Sequence, residues 1–210
     1  MTPTDPATRS TMVLKPGAVD LRLLRRIHAG GIALSLDPSA AQGIRDAQAV
    51  VQHIVDSDTV VYGINTGFGK LATTRISSTD LAELQRNLVL SHSVGTGDSL
   101  APAVVRLVLA TKIMSLARGH SGVRPAVLDA LLAFFNADIT PRIPAKGSVG
   151  ASGDLAPLAH LACVLIGEGE AFTADGKIAT GGEAMALVGM EPFVLGAKEG
   201  LALLNGTQVS

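Results

Sequence analysis

The stretch 147-GSVGASGDLAPLAHLA-162 decides how this chain is read. Glycines at 147, 150 and 153 allow backbone geometries closed to other residues. Asp154 then stands where a helix N-cap belongs, and the apolar run Leu155 to Ile166 follows it directly. That run contains Pro157 and His160 and is too short to cross a bilayer. It predicts a helix buried inside a helical protein. Upstream, Pro141 and Pro144 force an extended entry into the glycine-rich segment.

Toward the N-terminus, Asp20 predicts the cap of a short helix with Leu21, Leu24 and Ile27 on one face, stopped by Gly30-Gly31. Ile32, Leu34 and Leu36 alternate with smaller or polar residues, a strand signal. Ile44, Ala47, Val51 and Ile54 recur at helical spacing. Thr59 to Tyr62 reads as a short strand running into the loop 63-GINTGFGK-70. Ser77 to Asp80 offers caps for a helix carrying Leu81, Leu84 and Leu88. Pro102 suits the start of another helix and Gly119 its end, while Pro125 opens a third with Leu128, Leu131, Leu132 and Phe135 on one face.

Toward the C-terminus, Asp175-Gly176 predicts a two-residue hairpin turn between 171-AFTA-174 and 177-KIAT-180. Helical stretches follow near Glu183 to Val188 and Lys198 to Leu204. The expected fold is mainly α with a few short strands. Residues 1–118 are expected to be mixed, and 119–210 to begin a helical core. The chain stops at 205-NGTQVS-210 just after an apolar helix, which predicts a segment of something longer.

Composition narrows the function classes. Hydrophobic residues make up 47% of the 210 and charged residues 17%, which argues for a large buried fraction and against disorder. A formal net charge of -1 gives no steering toward polyanions, and 3% aromatics with no Trp leave no stacking platform for nucleic acid. The single cysteine, Cys163, rules out an internal disulfide and fits a reducing cytoplasm. The first residues, 1-MTPTDPATRSTM-12, lack the apolar core of a signal peptide. A soluble, cytoplasmic protein is expected, with neither membrane nor nucleic acid as partner.

Three tempting motifs fail. The loop 63-GINTGFGK-70 has five residues between Gly63 and Gly69, and Leu71 stands where a phosphate loop needs Ser or Thr. The segment 95-GTGDSL-100 has two of the three dinucleotide-fold glycines. In 150-GASGD-154, Asp154 replaces the last glycine of a hydrolase elbow. The five histidines show no paired metal spacing, so no metal is expected.

What remains is the chemistry of Ala151-Ser152-Gly153. The Gly153 nitrogen is sterically open, and attack on the Ala151 carbonyl would close a five-membered ring. Loss of water from the Ser152 side chain would then leave an exocyclic methylene, an electrophile made from the backbone. Asp154 could move protons during the cyclisation. The following helix points its positive end at Ser152, favouring negative charge there. A plain glycine-rich capping loop would use the same residues.

The segment 147-GSVGASGDLAPLAHLA-162 resembles the signature of the aromatic amino acid ammonia-lyase family. The resemblance extends to 62-YGINTGFG-69, 87-NLVLSHSVGTG-97, 118-RGHSGVRP-125 and 198-KEGLALLNGTQ-208, in the family's order and over nearly the whole chain. It implies the N-terminal part of the fumarase/aspartase-like helical fold. It also implies that Ala151, Ser152 and Gly153 become 4-methylidene-imidazol-5-one (MIO), that Asp154 assists, that Tyr62 is the catalytic tyrosine, and that Asn205 contacts the MIO region and the substrate. The family's active sites combine residues from several subunits of a homotetramer. Its substrate-carboxylate arginine, a second tyrosine and a glutamate correspond to positions beyond residue 210.

The family's selectivity pair falls at Ser91-His92. The Ser-His version marks members acting on L-histidine to give trans-urocanate, with His92 on the substrate imidazole, and some tyrosine aminomutases resemble it. A lone His92 on the face of Leu84 and Leu88 is also what a satisfied core histidine looks like. A helical module without chemistry stays a third reading. Cys163 and His160 are expected to be core or structural, and His28, His53 and His120 surface residues. Arg118, Arg124 and Lys146 are expected as solvated or interface charges.

Overall fold

The computed structural model describes residues 9–57, 59–68, 73–77, 79–150 and 153–209. Ala151 and Ser152 lie outside the described residues. Strand β1 (Ser10–Leu14) and strand β2 (Ile32–Leu36) pair in parallel, Ser10 opposite Ile32 and Leu14 opposite Leu36, with helix α1 (Leu21–Ala29) as the crossover. The Asp20 carboxylate accepts the Leu23 amide at 2.8 Å, the cap its sequence position predicts. Helix α2 (Ala40–Asp56) follows and packs on α5 (Pro125–Asn136).

The centre is built from α3 (Leu81–His92), α4 (Pro102–Leu116), α5 and α6 (Leu155–Leu165), with α7 (Gly181–Leu187) and α8 (Glu199–Leu204) against α6. One apolar cluster runs from Leu14 through Leu109, Phe134 and Leu161 to Leu204. Each fully buried Leu or Phe in it is worth about 1.5–3 kcal/mol relative to exposure. Short strands tie loops to this core. β3 (Thr96–Ser99) pairs with β5 (Pro144–Lys146), and β6 (Glu170–Phe172) lies between β4 (Thr140–Pro141) and β7 (Ile178–Thr180). The mainly helical architecture with a few short strands is the expected one.

Two local expectations differ from the structure, and two strands had not been expected. Thr59 to Tyr62 is not a strand. The Asn65 side chain takes the backbone groups a strand would offer to a neighbour: its Oδ1 accepts the Val61 amide at 2.9 Å and its Nδ2 donates to the Thr59 carbonyl at 2.8 Å. The hairpin at Asp175-Gly176 has a three-residue loop, closed by Thr173 N–H donating to Lys177 O at 2.8 Å, with Gly176 at φ 80° supplying the left-handed step. Strands β1 and β3 carry little pattern of their own; β3 reads Thr-Gly-Asp-Ser and is extended because β5 lies beside it.

Candidate active site at one end of a three-helix layer

Helices α3, α6 and α8 pack against one another. The Gln85 side chain of α3 meets Gly200 at the start of α8, and Arg86 pairs with Glu168 beyond the end of α6. Further along α3, Ser93 Oγ lies 3.0 Å from Cys163 Sγ, and the Gly95 amide donates to His160 Nε2 at 3.0 Å. At the other extremity the Asp154 amide donates to the Gly206 carbonyl at 2.8 Å. These pairings run α6 antiparallel to α3 and α8. The C-terminal end of α8 therefore meets the N-terminal end of α6, and the segment leaving α3 runs along α6 toward that end, from Cys163 to His160. Gly153-Asp154 and Asn205-Gly206 sit together there, while His92 closes α3 next to Ser93, beside Cys163.

His92 is the last residue of α3. Its Nδ1 lies 2.8 Å from the Leu88 carbonyl, which can only accept, so Nδ1 carries a proton, and in the neutral ring Nε2 is then the acceptor. Ser91 Oγ is 3.2 Å from the same Nδ1. Asn205 caps the C-terminal end of α8 and is exposed; its amide donates to Leu201 O at 2.9 Å.

Asp154 is buried and stands at the N-cap position of α6, yet its side chain makes no capping hydrogen bond to the helix. Instead Ser148 Oγ donates a short hydrogen bond to its Oδ1. Gly153 has φ 104°, a left-handed conformation, and a Cβ there would clash with the Gly206 carbonyl oxygen. Only glycine fits, and its uncrowded nitrogen is what ring closure onto residue 151 requires. The described part of the tripeptide thus suits the MIO group.

Tyr62 is 61% exposed and meets the Phe68 ring edge-to-face at 5.9 Å between centroids. Its loop is held from beneath: Thr66 Oγ1 accepts the Gly63 amide at 3.2 Å, and a Cβ on Gly63 would fall 2.8 Å from Leu201 Cδ2. The Tyr62 loop therefore rests on α8.

Four residues that support these helices and loops were not singled out as site residues in the sequence. Lys112 of α4 is 1% exposed and donates to the Asn205 carbonyl at 3.0 Å. Burial pushes its ammonium down to about 7. Its signal in the sequence was a lone lysine inside 102-PAVVRLVLATKIMSL-116. Gln85, Ser148 and Glu199 had no comparable signal. Arg124, expected to be solvated or at an interface, is 40% exposed and also holds the buried Glu199 through Nε at 2.9 Å and Nη2 at 2.6 Å. The carboxylate sits under the turn before α8, and so it captures the guanidinium.

His160 and Cys163 are structural, as expected. His160 accepts the Gly95 amide at Nε2, and burial lowers its basicity. Cys163 is buried, and burial pushes its thiol up. His28, His53 and His120 are exposed. Among the described residues no cluster of His, Cys, Asp and Glu is arranged to hold a metal, and no helix is long and apolar enough to cross a membrane.

Residues 19–210 match the aromatic amino acid lyase family. The chain is 72% identical over 200 residues to the histidine ammonia-lyase of Paracidovorax citrulli, covering 95% of this chain and 39% of that protein. Its fold superposes on a crystal structure of histidine ammonia-lyase from Trypanosoma cruzi with a TM-score of 0.87 at 39% identity, over 95% of this chain and 39% of that one. A tyrosine aminomutase from Streptomyces globisporus gives 0.85 at 34% identity, over 96% and 37%. The chain thus spans about two fifths of the length of the relatives it matches.

Proposed function

The chain belongs to the aromatic amino acid lyase family, and on that premise we propose that the whole protein eliminates ammonia from L-histidine, without oxidation, to give trans-urocanate. The observation that carries this reading is the contact of Gly153-Asp154 with Asn205-Gly206 where α6 begins and α8 ends, on a layer whose third helix, α3, ends at His92. The 72% identity to a histidine ammonia-lyase supports the choice of substrate.

In this reading Ala151, Ser152 and Gly153 form MIO, which supplies an electrophile toward the substrate amine and so makes its nitrogen a better leaving group. His92 Nε2, fixed as an acceptor by the Nδ1 contact with Leu88, takes a hydrogen bond from the substrate imidazole N–H. Asn205 holds the substrate and the tripeptide region. Tyr62 removes the β-proton; a positioned base contributes about 10²–10⁴-fold. Asp154, gripped by Ser148, moves protons while the group forms.

The same reading takes the protein as a cytoplasmic homotetramer, with 1–118 a mixed segment and 119–210 the start of a helical core. Tyr62 and Asn205 are exposed, which suits a site completed by other segments and subunits. The isolated chain is expected to show little or no turnover.

Following urocanate by its ultraviolet absorbance tests the proposal in the whole protein. L-histidine is expected as the substrate, and His92→Leu is expected to lower kcat/KM for it by roughly 10–100-fold. A tyrosine aminomutase is the second reading, favoured by the Ser91-His92 pair and the 0.85 superposition. Release of an amino-shifted tyrosine isomer, with L-histidine untouched, would establish that reading instead. A Ser152→Ala whole protein with full activity would refute both.

A further inference from the structure

We propose that Lys112 is a positioning residue for the tripeptide region: through the Asn205 carbonyl it sets where Asn205-Gly206 lies against Gly153-Asp154. The chemical consequence, though not the geometry, rests on the MIO reading above.

A lysine in the middle of α4 is out of place on burial grounds. It lies on the helix that also buries Val108, Leu109, Ile113 and Leu116, and it is 1% exposed. Burying an ammonium costs free energy unless a partner compensates. Among the described residues that partner is the Asn205 carbonyl, 93 positions away along the chain and 3.0 Å from Nζ. A methionine would fill the same space at lower cost but could not donate.

Asn205 is thereby held at both ends of its backbone. Its amide is bound by Leu201 O of α8, its carbonyl by Lys112. The next carbonyl along, that of Gly206, accepts the Asp154 amide at 2.8 Å and occupies the space a Gly153 side chain would need. Two successive carbonyls with fixed, separate partners leave the 205–206 peptide little rotational freedom. The lysine therefore acts on Gly153 and Asp154 through one peptide unit and touches neither. Burial pushes its ammonium down to about 7. The neutral amine still donates, so the contact survives in either protonation state.

The test is amide hydrogen exchange by NMR on the 210-residue chain, unsubstituted and as Lys112→Met and Lys112→Arg. Asp154 exchange is expected to quicken about tenfold or more in Lys112→Met while core amides of α5, such as Leu131, change less than about twofold. Lys112→Arg, which keeps a donor, is expected to return Asp154 to within about threefold of the unsubstituted rate. Equal acceleration of Asp154 and Leu131 would make the lysine merely structural and overturn the proposal. An unchanged Asp154 would overturn it as well.

Intact mass gives the chemical readout. MIO formation removes two waters, one carrying the Ala151 carbonyl oxygen and one the Ser152 hydroxyl. The dehydrated fraction is expected to fall in Lys112→Met and recover in Lys112→Arg. If the unsubstituted chain loses no water, the MIO reading fails for this chain, and amide exchange still decides the role of Lys112.

Discussion

The side-chain oxygen of Gln85 lies 2.9 Å from the amide of Gly200 and 3.4 Å from that of Leu201. These amides belong to the first turn of α8, which has no partners for them within the helix. The residue before the helix, Lys198, is left-handed at φ 68° and makes no side-chain cap. A glutamine 115 residues away does the capping instead, and it locks α3 to α8. Because α3 ends at His92 and α8 is capped by Asn205, the same contact fixes the two helices that carry those residues.

Gln85→Leu removes this cap and leaves one buried and one part-buried amide unpaired. It also removes the Gln85 side-chain nitrogen, which has no hydrogen-bond partner and offsets part of the loss. A net destabilisation of about 1–3 kcal/mol is expected, read as a lower urea midpoint with an unchanged slope. An unaltered midpoint would show that α8 is capped by other means.

Glu199 is nearly fully buried and accepts the Arg124 amide at 2.9 Å, the Gly196 amide at 2.7 Å and the Arg124 guanidinium. Glu199→Ala strips partners from both amides and from the guanidinium. Arg124 is 40% exposed and can turn to water. The expected cost is therefore about 2–3 kcal/mol, below the ~3–5 kcal/mol of a wholly buried pair. Thermal unfolding of the variant checks it.

Lys112 makes stability depend on alkaline pH. Its folded value is about 7 against an ordinary 10.5, so between those values the unfolded chain binds more protons than the folded one. Stability contributed by this group is therefore fully present above about 10.5 and lost as pH falls toward about 7. The unsubstituted chain is expected to gain on Lys112→Met as pH rises through that window, by at most about 1.4 kcal/mol per pH unit. Denaturant titrations of both proteins across the window measure the difference.

His160 acts on the acid side. Burial lowers it from the ordinary 6.5, and its Nε2 must stay unprotonated to accept the Gly95 amide. Its contribution is present above about 6.5 and is lost as pH falls from there through the depressed folded value. Acidification is expected to destabilise the unsubstituted chain more than His160→Gln. Equal losses in the two proteins would remove His160 from the account.

Much of the architecture was legible in the chain because its signals are local. Asp20 caps α1, Pro102 and Pro125 open α4 and α5, and the apolar run after Asp154 is a buried helix. Local reading failed where a distant or unexpected partner took over the backbone. Asn65 diverted residues 59–61 from strand pairing, β5 drew a polar tetrapeptide into β3, and the buried Glu199 took Arg124 as its partner.

Residue type and spacing within one or two helical turns are enough to mark the Ala-Ser-Gly tripeptide, the caps and the apolar faces, since those effects act over a few ångströms along the backbone. Packing had to supply the rest: the meeting of the start of α6 with the end of α8, the glutamine cap 115 residues from its helix, and the lysine bound to a carbonyl 93 residues away. Such contacts form because burial leaves each polar group no water to turn to. Which partner it finds depends on how helices stack and not on what neighbours it in the chain.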